Sequence, residues 1–311
     1  MQAPTEPAGH PAGNPASWRS LLFVPATQDR FIDSALKRDA DALMIDLEDS
    51  VGLDQKDVAR DRVAQIATRF AQAGYGVAVR VNRPWRLLVR DIEACVGPSV
   101  HALTLPKVNE PGFVRAVAEV VLDCERERGL PLGHTRLIVM VEDAEGLENV
   151  SAIARAHPRI SGLIVGAEDL AVSMRMAVDE DTLYVPNMLA LTACRRAGIT
   201  PIGFIGSVAD FADRDAFRRK IERAARLGFE SAFCIHPAQV DIVNTAFTPA
   251  LAAVERARAL LAEFDAQCAA GRAACTFEGR MVDAPVAEQA RLLVRRHDEI
   301  ARVRGGRSAA G

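Results

Sequence analysis

Residues 42–52 read ALMIDLEDSVG. An apolar run of strand length ends in Asp46, Glu48 and Asp49, with Asp41 just before it. Buried carboxylates are costly without a partner. These acids must therefore be paired, bound to a metal, or set at the mouth of a site. Seven similar runs recur: SLLFVPA (20–26), GVAVRVN (76–82), ALTLPKV (102–108), RLIVMVED (136–143), GLIVGAED (162–169), TPIGFIG (200–206) and SAFCIHP (231–237). Most are continuously apolar rather than alternating, as expected of strands covered on both faces. Between them lie stretches with helical spacing, such as RDRVAQIATRFAQAG (60–74), with Gly74 placed to cap it, and FRRKIERAARLG (217–228).

Eight strands with intervening helices predict an α/β fold, a (β/α)8 TIM barrel over residues 18–248. The competing doubly wound sheet would show a glycine-rich first turn, and VPATQDR is not one. Helical patterns at 250–271 and 277–303 exceed what a barrel needs. They predict a C-terminal helical extension over 249–304 that contributes to an oligomer. The Pro-, Ala- and Gly-rich residues 1–17 are expected to be a disordered lead rather than a signal peptide, having neither a basic nor an apolar region. Residues 305–311 are expected to form a flexible tail.

The 311 residues are 49% hydrophobic, enough for a large core, and the formal net charge of -3 leaves no electrostatic footprint for nucleic acid. No apolar run approaches the roughly 20 residues of a membrane span. Six cysteines without a C-x-x-C spacing suit reduced thiols and a cytoplasmic protein.

In a barrel the C-terminal strand ends build the site. Here they carry Asp46, Glu48 and Asp49, then Arg80 and Asn82, Lys107, Glu142 and Asp143, Glu168 and Asp169, and His236. An all-oxygen set suits a hard cation such as Mg²⁺. Each residue also has a plainer reading. A single acid there is more often a helix N-cap or a solvated loop residue, and Asp143 can cap residues 144–156. Asp41 precedes its strand and belongs to the other end. His236 is expected to be a structural imidazole. Arg80, a cation inside an apolar strand, needs a carboxylate partner from protein or substrate.

Taken together and in order, RSLLFVPA, DALMIDLEDSV, VRVN, LPKV, IVMVEDAEGLEN, GAEDL, CIHPAQV and GRMVDAP resemble the citrate lyase β-subunit-like enzymes of the HpcH/HpaI aldolase superfamily. The resemblance runs from about Arg19 to Leu293. It implies a Mg²⁺-dependent carbon–carbon lyase on a β-hydroxyacyl-CoA thioester such as malyl-CoA or citramalyl-CoA, with thioesterase activity possible in the same site. A homotrimer or homohexamer is implied, with an acyl-CoA or 2-oxo acid as substrate. Glu142 and Asp169 match the metal carboxylates. Arg80 matches the arginine that holds the substrate carboxylate, and Asp283 an aspartate lent to a neighbour's site as a general acid/base. Glu48 and Asp49 match acidic positions that support the metal waters and Arg80, with Glu48 a catalytic candidate; Asp49, Lys107 and Arg19 are expected to bind substrate, Lys107 serving otherwise as a surface charge.

The chain departs from that pattern at Ala26, at Pro186 in LYVPN, at Gly203 in IGFIG, and at Ser231 and Ala232. Most of these lie on strands six to eight, away from the metal pair and toward the thioester side. The alternatives are a class II pyruvate-type aldolase on a free hydroxy-oxo acid, a β-subunit of a multisubunit citrate lyase, and a barrel that binds a metabolite without turnover.

Overall fold

The computed structural model describes residues 14–308, with side chains to Arg304. The lead and tail expected at 1–13 and 309–311 lie outside the described residues. Residues 14–17 do not belong to a disordered lead: Pro15–Ser17 form a 3-10 turn capped by Asn14, and Ser17 is buried. At the other end the last helix runs on to Ser308.

Eight parallel strands follow one another around a barrel: β1 (Ser20–Pro25), β2 (Ala42–Asp46), β3 (Gly76–Arg80), β4 (Ala102–Leu105), β5 (Arg136–Val141), β6 (Ile160–Val165), β7 (Thr200–Ile202) and β8 (Ala232–Cys234). Each pairs with the next up to β7, and β8 returns to β1. One bridge between Ile202 and Ser231 brings the two ends together. The short β7 has a cause in Pro201, which lacks an N–H for the ladder.

The helices of this unit are α1 (Asp29–Ala35), α2 (Lys56–Gln72), α3 (Trp85–Cys95), α4 (Pro111–Glu127), α5 (Ala144–Glu148), α6 (Val150–Ile153), α7 (Ala167–Met174), α8 (Glu180–Ala197), α9 (Arg214–Leu227) and α10 (Pro237–Ala246).

Side chains alternate across each strand with a period of two. Leu43 and Ile45, Val77 and Val79, and Leu137 and Val139 face the helices in one large cluster. Ala42 and Met44, Ala78, Ala102, and Ile138 and Met140 fill the barrel interior. Trp18 closes the floor, and a Cβ on Gly76 would come within 2.3 Å of its ring. Continuing the inward parity places Asp46, Arg80, Thr104 and Glu142 toward the interior at the C-terminal ends. Asp46 is the register partner of Arg80, and Arg80 of Thr104.

A second compact unit spans Thr248–Gly305. It holds α11 (Leu251–Ala269), β9 (Cys275–Phe277), β10 (Arg280–Val282) and most of α12 (Ala284–Ser308). Phe264, Val282 and Ala287 make its small core, with Leu260, Leu261 and Phe277 against it. The helical pattern read over 277–303 is thus corrected at its start. Residues 275–282 are an antiparallel hairpin whose two-residue turn, Glu278 and Gly279, has φ of 48° and 76°. Positive φ at both turn positions matches the strands' twist.

Candidate active site

The site gathers around Arg80. Its Nε and Nη2 donate to the two oxygens of Asp46 at 2.7 and 2.8 Å. Nη1 lies 2.9 Å from Glu48 Oε2 and 3.4 Å from Asp49 Oδ2. The Glu48 contact is a charge contact set off the hydrogen-bond direction, so Oε2 is left without a hydrogen-bond partner. The guanidinium also sits 4.8 Å above the Phe23 ring.

The carboxylate partner expected for Arg80 is therefore a protein one, Asp46, and it takes the bidentate fork. The remaining Nη1 side is occupied too, facing Glu48 and donating to Asp49 at 3.4 Å. Burial opposes charge on Asp46, but hydrogen bonds from Arg80, Ser50 and Glu48 outweigh it and hold the carboxyl below its usual range. The same acids hold Arg80 firmly protonated despite burial.

Glu48 has the opposite balance. Burial, with the charges of Asp49 and Glu142 added, pushes it up to about 7 against the pull of Arg80 and Lys107. Glu142, just past β5, is also nearly closed off from solvent and pushed up to about 7, by burial first and by Asp169 second. Its Oε2 accepts a 2.6 Å hydrogen bond from the Lys107 backbone N–H. Gly166 leaves the room Glu142 occupies, since a Cβ there would lie 2.4 Å from Oε1. Asp169, in the first turn of α7, is half-exposed. Lys107 Nζ stands 3.6 Å from Glu48 Oε1 and 3.9 Å from Asp169 Oδ2. Its backbone is left-handed, with φ of 52°. That conformation is costly for any residue with a Cβ.

Arg80, Glu48, Asp49, Lys107, Glu142 and Asp169 therefore share one rim. One placement differs from expectation. Arg19 does not contact this rim: it precedes β1, at the N-terminal end of the barrel. There it is buried and donates to Asp41 through its backbone N, Nε and Nη2 at 2.8, 2.7 and 2.6 Å. A substrate-binding role for Arg19 is corrected to a structural ion pair. Asp283 lies in the second unit, half-buried, with Oδ1 accepting from Val286 N at 3.3 Å as a cap of α12. The plainer readings hold for Asp143, which caps α5 through Gly146 N, and for His236, which caps α10 through Ala238 N.

Sequence reasoning missed Asp46 as Arg80's partner and Lys56, whose Nζ donates to the carbonyls of Leu47 and Glu48 at 2.7 Å each. Parity with Ala42 and Met44 was a signal for Asp46; nothing local marked Lys56. Of the departures, Gly203 has φ of 127°, a conformation open to glycine alone, and Asn187 Oδ1 stands 3.8 Å from where its Cβ would be. Pro186 is buried within α8, and Ala232 is fully buried at the start of β8.

The donor chemistry at Glu142 and Asp169 fits a divalent cation. A buried carboxylate with a single backbone hydrogen bond, a second carboxylate beside it and only oxygen ligands is what a hard ion requires.

The model of the HpcH/HpaI aldolase/citrate lyase family matches residues 19–237. The chain belongs to that family. An L-malyl-CoA/beta-methylmalyl-CoA lyase of Cereibacter sphaeroides is 32% identical over 307 residues, 91% of this chain and 95% of the relative. A (3S)-malyl-CoA thioesterase of the same species is 32% identical over 272 residues, 86% of this chain and 90% of the relative. Among solved structures, CitE from Mycobacterium tuberculosis in complex with magnesium, acetoacetate and coenzyme A is 28% identical with a TM-score of 0.68, covering 90% of this chain and 97% of that one. The match spans every strand of this HpcH/HpaI barrel and every rim residue named above. It ends before Asp283.

Proposed function

We propose that the protein is a Mg²⁺-dependent carbon–carbon lyase acting on a β-hydroxyacyl-CoA thioester of the malyl-CoA or citramalyl-CoA type. The observation that carries this reading is the under-partnered, buried Glu142 beside Asp169, on the same rim as Arg80 and Lys107. Glu142 and Asp169 would hold the ion, which when bound polarises the carbonyl formed from the substrate hydroxyl. Arg80 meets the substrate carboxylate at Nη1, which exchanges its Glu48 and Asp49 contacts for it, while Asp46 keeps the guanidinium plane fixed. Lys107 places a positive charge above the acids and steadies negative charge that develops on the departing thioester enolate. In an oligomer, trimer or hexamer, Asp283 of one subunit supplies the acid/base group for its neighbour. The protein works in the cytoplasm, where its thiols stay reduced; among the described residues no helix is long and apolar enough to cross a membrane.

The similarity to a thioesterase supports a second outcome, hydrolysis of the thioester in the same site. One experiment separates the two. A panel of hydroxyacyl-CoA thioesters is incubated with the protein and Mg²⁺, scoring free 2-oxo acid against free CoA thiol. Cleavage of the carbon–carbon bond yields the oxo acid and a shorter acyl-CoA with no thiol. Hydrolysis yields thiol and an intact hydroxy acid. Absence of both products across the panel refutes the reading.

A further inference from the structure

Arg83 differs from the other cations of the rim. Arg80 is enclosed by three acids, whereas Arg83 has no ion-pair partner among the described residues. Its guanidinium is nevertheless held in place. It lies 3.8 Å over the Phe113 ring, and its Nε donates to the Lys107 carbonyl at 3.1 Å. Phe113 is in turn braced edge-on by Trp85, with ring centroids 5.2 Å apart. One guanidinium N–H is thus used, and the two Nη groups keep their hydrogens for another acceptor.

Arg83 lines a cavity of about 610 Å³ that also reaches Asp49, Lys56, Trp85 and Lys107. That volume lies in the range of small-molecule sites. The acids on its wall are already engaged: Glu48 and Asp49 face Arg80, and Glu48 faces Lys107 as well. Lys56 adds an ammonium with two of its three hydrogens on carbonyl oxygens. Exposed Leu53 and half-exposed Trp85 give the cavity apolar surface. A fixed arginine fork with no ion-pair partner among the described residues, under only the longer-range pull of Glu110 and Asp143, is in such a place a receptor for a carboxylate or a phosphate.

We propose that Arg83 binds an oxyanion that the substrate carries away from its reacting carbons, and so sets which substrates the enzyme accepts. The proposal rests on the lyase reading and deepens it. The shared chemistry is a carboxylate or phosphate oxygen pair facing the fork. Its two sources are a remote carboxylate on the acyl or oxo-acid part and a phosphate of the CoA carrier.

The test is calorimetric. Free coenzyme A, inorganic pyrophosphate and succinate are titrated, with Mg²⁺ present, into the wild type and into the Arg83→Gln and Arg83→Lys variants. At least one probe should bind the wild type, lose about tenfold or more in affinity in Arg83→Gln, and regain part of it in Arg83→Lys, as expected for a charge-assisted pair. A response to coenzyme A and pyrophosphate assigns the phosphate source, and a response to succinate the carboxylate source. Unchanged affinity in Arg83→Gln overturns the proposal, as does a wild type that binds none of the probes. If Arg83→Gln does not fold, Arg83→Lys carries the test, since loss of the fork alone should still weaken binding severalfold. On any thioester the wild type cleaves, Arg83→Gln should raise KM with kcat held within about twofold. A wild type that binds a probe yet cleaves no thioester would refute the lyase reading and leave the oxyanion site standing.

Discussion

Gly166 is a position where one methyl group decides the state of another side chain. Its φ of -81° suits alanine, so only the contact matters, and a Cβ would sit 2.4 Å from Glu142 Oε1 and 2.9 Å from its Cδ. Gly166→Ala should therefore turn Glu142 aside. Mg²⁺ affinity, measured by calorimetry, should fall by roughly 10–100-fold, the usual scale for disturbing what orients a ligand, while thermal melts of the Mg²⁺-free protein move little. A variant that binds Mg²⁺ like the wild type would remove Glu142 from the metal site. Lys107 combines two roles in one residue. Its left-handed backbone aims the N–H at Glu142, and its Nζ reaches Glu48 and Asp169. Separating them predicts that Lys107→Gly, which relieves the backbone cost, is more stable than Lys107→Ala by about 1 kcal/mol, with both equally impaired in activity. Urea melts and turnover assays on the pair check it; equal stability would mean that the φ carries no strain.

Among the elements, α4 is tied to the strand layer by Glu125 alone of its acids. Fully buried, Glu125 accepts from Arg159 Nη1 and Nη2 at 2.7 and 2.6 Å and from the backbone of Thr135 and Gly133 at 2.8 and 2.9 Å. Burial raises its pKa, but these four bonds outweigh it and hold the carboxyl below its ordinary 4.5. A lowered pKa contributes stability above the unfolded value and loses it as pH falls through the folded one. Glu125→Gln leaves a buried Arg159 unneutralised and should cost about 3 kcal/mol at neutral pH. The gap between variant and wild type should narrow as pH falls below 4.5. Denaturant melts at several pH values test this, and a gap independent of pH would contradict it. The hairpin of β9 and β10 shows the opposite case, an element held by its turn, with Met281 left exposed on β10 and Val282 turned into the small core of the second unit.

For the whole molecule, the proposal that Asp283 acts on a neighbouring subunit makes a demand that no single chain can meet. Asp283→Asn and Glu142→Gln variants should each be nearly inactive. Dissociated, mixed and reassembled, they should recover part of the wild-type rate, because some subunit pairs join an intact Asp283 to an intact metal site. No recovery in proven hetero-oligomers would confine Asp283 to its observed role as the cap of α12.

The sequence alone determined the eight strands, their order and the rim where the acids gather with Arg80 and Lys107. Strand-length apolar runs and helical spacing are local properties, and in a parallel barrel strand order follows chain order. It also placed Asp143 as a cap, since a cap bonds only to backbone two or three residues away. Only the tertiary structure decided which charges meet. Arg19 could not be assigned to Asp41 rather than to a substrate until β1 and β2 were side by side. Asp46 claims the fork of Arg80 across 34 residues of chain, because register sets the two as direct partners. The left-handed turn at Lys107 and the fork of Arg83, without an ion-pair partner among the described residues, arise in the same way. Each depends on what neighbouring strand ends present at a given height, and pairing between strands sets that height where local sequence does not.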